Sequence, residues 1–153
     1  MFQFGQGGGD GSSHYAAARR IHPGRFAFET GGGAARVLVI DDEPSVADAL
    51  RLILEDEGFG VVVAATGRDG IEQARRGAFR LTITDLRLPD MNGLDVIGFF
   101  REQGGGGAVI LITSSCTPEV CARAMELGAA GVVSKPFPPS EIIRLVAAAL
   151  ETD

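Results

Sequence analysis

Lysine is nearly absent from this chain: Lys135 stands alone against thirteen arginines. Histidine is as scarce, and both copies, His14 and His22, fall within the first 35 residues. The rest of the chain therefore has no imidazole, which excludes His-based metal centres, Ser-His and Cys-His nucleophile pairs and a phosphohistidine carrier there. Cysteine is limited to Cys116 and Cys121. Two are too few for a disulfide framework, and a reducing cytoplasm is the expected setting. No apolar run approaches the roughly 18 residues of a membrane span, and no charged-then-apolar start marks a secretory signal. Net positive charge is lacking too, with 14 basic against 20 acidic residues and a formal charge of −6. Arg19, Arg20 and Arg25 against Asp10 and Glu29 give residues 1–35 a net +1, leaving −7 on the remainder. An acidic body without a basic stripe argues against direct nucleic-acid contact.

What is present fits one domain. A chain of 153 residues, 45% apolar and 22% charged, can bury a sizeable core. Residues 1–35 hold nine glycines and scattered aromatics without a sustained period. Such a segment buries too little to offset its chain entropy, so a flexible leader is expected, with at most a helical turn over Ala16–Ile21.

From Arg36 strands and helices alternate. Val37-Leu38-Val39-Ile40 reads as a central parallel strand covered on both faces. Pro44 opens a helix to about Glu57, stopped by Gly58, with Val46, Leu50, Ile53 and Leu54 on one face. Val61–Ala64 is a second strand and Arg68–Arg76 a helix. Leu81–Thr84 is a third strand, ending at Asp85 and running into the turn residues Pro89 to Gly93. A helix follows from about Leu94 to Gln103. Gly104–Gly107 is low-complexity and enters the next strand, so a floppy loop is expected on the face away from the strand C-termini. Ala108–Ile112 ends at Thr113-Ser114-Ser115, and Pro118 opens a helix to Leu127. Val132-Val133 is a short fifth strand, and Pro138-Pro139 start the last helix. Five βα units predict an α/β fold, an open, doubly wound, five-stranded parallel sheet with helices on both faces. The chain stops about three residues past that helix, so a stand-alone domain over 36–151 is expected; a fragment of a longer regulator stays open.

Open α/β sheets place their chemistry at strand C-termini. There the sequence supplies Asp41 and Asp42 from strand 1, Asp85 from strand 3, Thr113 from strand 4 and Lys135 from strand 5. Each has a plain alternative: acids at a helix N-terminus, a strand-end hydroxyl, a solvated turn charge. Their coincidence at successive strand ends is harder to assign to chance. Three carboxylates in one crevice repel unless a cation lies among them. An oxygen-only donor set suits Mg²⁺, and a lysine supplies a compact charge for phosphate.

Ile40-Asp41-Asp42-Glu43-Pro44, Thr84-Asp85 through Asn92-Gly93, Leu111-Ile112-Thr113-Ser114 and Val133-Ser134-Lys135-Pro136-Phe137 resemble the receiver domain of bacterial two-component response regulators. The resemblance covers residues 36–151. It implies a flavodoxin-like (βα)5 fold with strand order 2-1-3-4-5, the order such receivers share. It further implies Asp85 as phosphoacceptor, Asp42 as a direct Mg²⁺ ligand, Asp41 acting through water, and the Arg87 backbone carbonyl as another ligand. Thr113 and Lys135 would hold phosphoryl oxygens, and the Lys135–Pro136 peptide would be cis. The implied role is a phosphorylation switch rather than an enzyme. It would be charged by a histidine kinase or phosphotransfer protein and act on a downstream protein.

Two positions depart from the pattern. Val132 stands where receivers often carry an aromatic, and Arg87 overlooks the acceptor. The rival phosphohydrolase of haloacid-dehalogenase type needs a carboxylate two residues after its nucleophile, where Arg87 stands. A phosphorylation-independent binding module is a second rival, disfavoured by the complete acid, Thr and Lys set. Cys116 is close enough to the site to raise a redox role, but its type favours a small buried residue.

Overall fold

The computed structural model describes residues 35–151. The leader expected over 1–35, with its turn at Ala16–Ile21, lies outside the described residues except for Ala35. That residue is buried, and its carbonyl accepts from Gly60 N at 2.9 Å.

Strands and helices alternate as β1 (Arg36–Ile40), α1 (Pro44–Asp56), β2 (Gly60–Ala64), α2 (Gly67–Arg76), β3 (Leu81–Asp85), α3 (Gly93–Gln103), β4 (Ala108–Thr113), α4 (Pro118–Glu126), β5 (Gly131–Ser134) and α5 (Pro139–Glu151). The five strands pair in parallel in the order β2-β1-β3-β4-β5, as the resemblance implies. Burial follows that order. β3 is buried throughout and β1 from Val37 onward, whereas the edge strands β2 and β5 are only partly covered.

Alternation along each strand sends side chains to opposite faces. Val37 and Val39 join Leu50 and Leu54 of α1 and Ile143 and Val146 of α5 in one apolar layer. Leu38 and Ile40 join Val96 and Ile97 of α3 and Ala124 of α4 in the other. Truncating fully buried Leu50 to Ala would cost about 2–5 kcal/mol, a large share of a domain's net stability.

Helix starts follow their local chemistry. Pro44 and Pro118 occupy first-turn positions whose N–H groups have no helical partner. Thr66 Oγ1 accepts from Asp69 N at 3.0 Å, and Thr117 Oγ1 accepts from Val120 N at 3.2 Å. At α3, Asn92 Oδ1 accepts from Leu94 N at 2.7 Å while Asp95 Oδ2 accepts from Asn92 N at 3.2 Å.

Gly104–Gly107 does lie at the sheet end away from the strand C-termini, but it is a built turn rather than a floppy loop. All four residues have positive φ, and Thr82 Oγ1 donates to the Gly106 carbonyl at 2.8 Å. A side chain at Gly107 would run into the Arg80 backbone, so space as well as φ demands glycine there.

Candidate functional site

The C-terminal ends of β1, β3, β4 and β5 meet around one crevice of about 270 Å³ lined by Asp42, Glu43, Asp85, Arg87, Thr113, Ser114 and Lys135. Asp41 is buried beside it at 2% exposure, against Lys135 Nζ. Ligand oxygens of Asp41, Asp42 and Asp85 all lie within 4.8 Å of one another. The sequence-predicted acids, threonine and lysine therefore come together, with Asp42 exposed at the mouth and Asp85 and Thr113 buried.

Asp85 is fixed by its neighbours. Its Oδ1 accepts from Leu86 N at 2.9 Å and lies 3.3 Å from Lys135 Nζ. Behind it, Gly93 brings the start of α3 so close that an added Cβ would collide with the Asp85 carbonyl oxygen. Gly93 N donates to the Leu86 carbonyl at 2.6 Å, which anchors the loop after β3. Asp90 anchors the same loop to α2, accepting from Gly67 N at 2.8 Å and Arg68 N at 2.9 Å. Those bonds, Arg68's first, hold the Asp90 carboxyl below its ordinary pKa.

Lys135 spans the acids. Its Nζ donates to Glu43 Oε1 at 2.8 Å and stands 3.1 Å from Asp41 Oδ2. The Lys135 N–H donates to the Thr113 carbonyl at 2.8 Å, and the Lys135–Pro136 peptide is cis, as expected. Thr113 Oγ1 accepts from Ser115 N at 2.9 Å. The threonine hydroxyl is thus tied to the loop that follows it.

Charge in this crevice is unevenly balanced. Burial, then the Asp41 charge, push the Asp85 carboxyl above its ordinary 3.8, with Lys135 and Leu86 N pulling the other way. Burial also works against the Lys135 ammonium. Its hydrogen bond to Glu43, its close approach to Asp41 and the charges of Asp41 and Asp85 outweigh that and raise its pKa. Asp41 Oδ2 is buried and has no hydrogen-bond partner; its approach to Lys135 Nζ is an ion pair lacking hydrogen-bond direction. A buried carboxylate oxygen left this way is costly. Three converging oxygen donors with one such orphan fit a hard, hydrated divalent cation.

Some residues were not singled out by sequence reasoning. Glu43 lies one place past the acidic pair, yet its partner is 92 positions away. Its only sequence signal is its place in an acidic triplet. Cys116 departs from the buried reading: it is exposed, with its Sγ 2.9 Å from that of half-buried Cys121. Val132 is half-buried on β5, paired in register with Leu111.

Known proteins share this fold. The family model for the response regulator receiver domain matches residues 37–147. The DNA-binding response regulator MtrA of Mycolicibacterium smegmatis is 38% identical over 115 residues, which is 75% of this chain and 50% of that protein. The chain thus spans about half the length of the curated relatives it matches. The beryllofluoride-activated NtrC4 receiver domain dimer is similar at TM-score 0.73 and 32% identity, covering 76% of this chain and 97% of that one. A CheY-like receiver domain protein from Methanospirillum hungatei JF-1 gives TM-score 0.73 and 28% identity, covering 77% and 94%. With the sheet order, the acidic crevice and the family match in agreement, the chain belongs to the response regulator receiver domain family.

Proposed function

We propose that this domain is a phosphorylation switch in which Asp85 accepts a phosphoryl group from a histidine kinase or phosphotransfer protein. The observation that carries this reading is the placement of Asp85 between the Asp41–Asp42 pair and Lys135 at the open ends of β1, β3 and β5. Asp85 Oδ1 is engaged by Leu86 N and Lys135, and among the described residues no bond engages Oδ2. That oxygen is the nucleophile. It attacks phosphorus in line, an acyl phosphate P–O bond forms, and the donor's P–N bond breaks with the electron pair leaving on the imidazole.

Asp42, Asp85 and the Arg87 carbonyl would hold Mg²⁺ directly, with buried Asp41 acting through water. When bound, the ion offsets charge on the acids and on phosphoryl oxygens. Lys135 supplies a point charge to one phosphoryl oxygen, and releasing it from Glu43 is part of that step. Thr113 turns its hydroxyl from Ser115 N to the phosphoryl group, which shifts the loop Ser114–Thr117 and biases the surface beyond it. The domain catalyses its own phosphorylation and slow dephosphorylation. It works in the cytoplasm, through a downstream protein and without touching nucleic acid itself; among the described residues no helix is long and apolar enough to cross a membrane.

The test is intact mass after incubation with acetyl phosphate and Mg²⁺. Wild type should gain one phosphoryl group and Asp85→Asn none. Equal adduct on both proteins overturns the assignment.

A further inference from the structure

Receiver chemistry makes no use of sulfur, yet the chain's only two cysteines face each other at the entrance to α4. Cys116 lies in the exposed loop after β4, and Cys121 is in the second turn of α4, half-buried. Their sulfurs are 2.9 Å apart, well inside ordinary sulfur contact. Among the described residues the metal-competent cluster is the acidic one, so two thiols without a third donor point to sulfur chemistry rather than metal binding. The loop between them and β4 also holds Ser115, whose N–H ties down the Thr113 hydroxyl.

We propose that Cys116 and Cys121 are a reversible dithiol modification site, oxidised by a hydroperoxide to an intrachain disulfide that restrains the loop Ser114–Thr117. Exposed Cys116 meets the oxidant first. Its thiolate attacks one peroxide oxygen, the O–O bond breaks, and an alcohol or water leaves, giving a sulfenic acid. The Cys121 sulfur then attacks the Cys116 sulfur. The S–S bond forms, the S–O bond breaks, and the Cys121 proton departs with the hydroxyl as water. Two protons and two electrons leave the thiols and reduce one peroxide. Cys116, then desolvation, hold the Cys121 thiol above its ordinary pKa of 9.0, which, with its half-buried place, leaves the first step to exposed Cys116.

The disulfide joins the loop to α4 one residue past Ser115. A loop so joined cannot release Thr113 freely, so oxidation weakens the answer to phosphorylation. That consequence rests on the phosphoacceptor reading; disulfide formation does not.

The full chain, reduced or treated with hydrogen peroxide, is alkylated with iodoacetamide and weighed. Oxidised wild type should lose the mass of two hydrogens, take no alkyl group, and recover both thiols with dithiothreitol. Cys116→Ser and Cys121→Ser should instead gain oxygen or cross-link between copies. Two alkylatable thiols persisting in treated wild type, oxygen gain on each sulfur, or mainly interchain dimers would each overturn the site. Hydrogen exchange across Ser114–Val120 should slow on oxidation, and unchanged exchange overturns the restraint. Beryllofluoride should bind the oxidised chain about fivefold or more weakly than the reduced one, and equal affinity overturns the regulatory consequence. If the reduced chain fails to bind beryllofluoride, the phosphoacceptor reading falls while mass and exchange still decide the disulfide.

Discussion

Replacing Lys135 with Met keeps most of the side chain's stem but removes the cation on which three carboxylates converge. Nζ stands 2.8 Å from Glu43, 3.1 Å from Asp41 and 3.3 Å from Asp85. Removing one partner of a buried pair typically costs about 3–5 kcal/mol, because the remaining charge stays buried. Glu43 is 57% exposed and counts for little after solvent screening. Asp41 and Asp85 stay buried, but Lys135 and Asp85 keep 11% and 10% side-chain exposure, so the lower end applies, about 3 kcal/mol. Metal should offset part of the loss: Mg²⁺ at ten times its Kd adds about 1.4 kcal/mol to a native state that alone binds it. It should bind the variant more tightly, since no ammonium competes. Lowering the pH should narrow the gap as well, because Asp85, already raised and now without Lys135, can discharge by taking up a proton. Urea unfolding of both proteins, in chelator and in Mg²⁺ and at neutral and lower pH, reads all three effects. A variant within about 0.5 kcal/mol of wild type in chelator, the range of inert surface changes, would refute the charge reasoning.

Asp85→Asn should unfold at higher urea than wild type in metal-free neutral buffer. The folded pKa of Asp85 lies above its unfolded value, so wild type loses stability as pH rises from about 3.8 through that raised pKa, and the amide loses none. A urea midpoint that falls on this substitution contradicts the sign. For Lys135, also raised, the slope has the same sign but lies at alkaline pH: its contribution is complete below its ordinary 10.5 and fades as pH rises beyond that, which unfolding at alkaline pH would show as loss confined to wild type relative to Lys135→Met. Asp42→Ala should lose Mg²⁺ affinity and phosphorylation together, and equal heats in titration calorimetry would count against Asp42 as a ligand. Thr113→Ala should remain phosphorylatable yet lose most of the coupling to partner binding. Val132→Ala should change that coupling by less than about 0.5 kcal/mol of a typical 1–3 kcal/mol. Partner affinity with and without beryllofluoride distinguishes them, and equal uncoupling by both would rule out a route through the loop alone.

The site was legible because its members sit at positions the strand pattern itself defines. Asp41, Asp42, Asp85 and Thr113 each fall at the end of a strand-like run, and Lys135 stood out in a chain that uses Arg everywhere else. Partners that depend on distances between strands were not legible. Glu43 looks like any acid before a helix, and its bond to Lys135 exists only because the ends of β1 and β5 open on one crevice. Asp90 reads as a turn residue, though its carboxylate caps the start of α2 more than twenty positions earlier. Strand order came from resemblance alone: Val37–Ile40 reads as a central strand and is one, but nothing in Val61–Ala64 marks it as an edge. Gly104–Gly107 misled because composition does not register that Thr82 binds the turn from within β3. Cys116 misled because residue type predicts burial on average, while its place in an exposed loop set the outcome.

The central claim is that the Asp85 carboxylate carries the phosphoryl group, and borohydride trapping tests it most directly. An aspartyl phosphate is an acyl phosphate that borohydride reduces to homoserine, whereas a free carboxylate or a hydroxyl phosphate is left intact. The chain is phosphorylated with acetyl phosphate and Mg²⁺, reduced, digested, and its peptides sequenced by mass spectrometry. The account predicts homoserine at position 85 alone, absent when chelator replaces Mg²⁺. Homoserine at Asp41, Asp42 or Asp90 with Asp85 unreduced, or equal trapping in chelator, would contradict it.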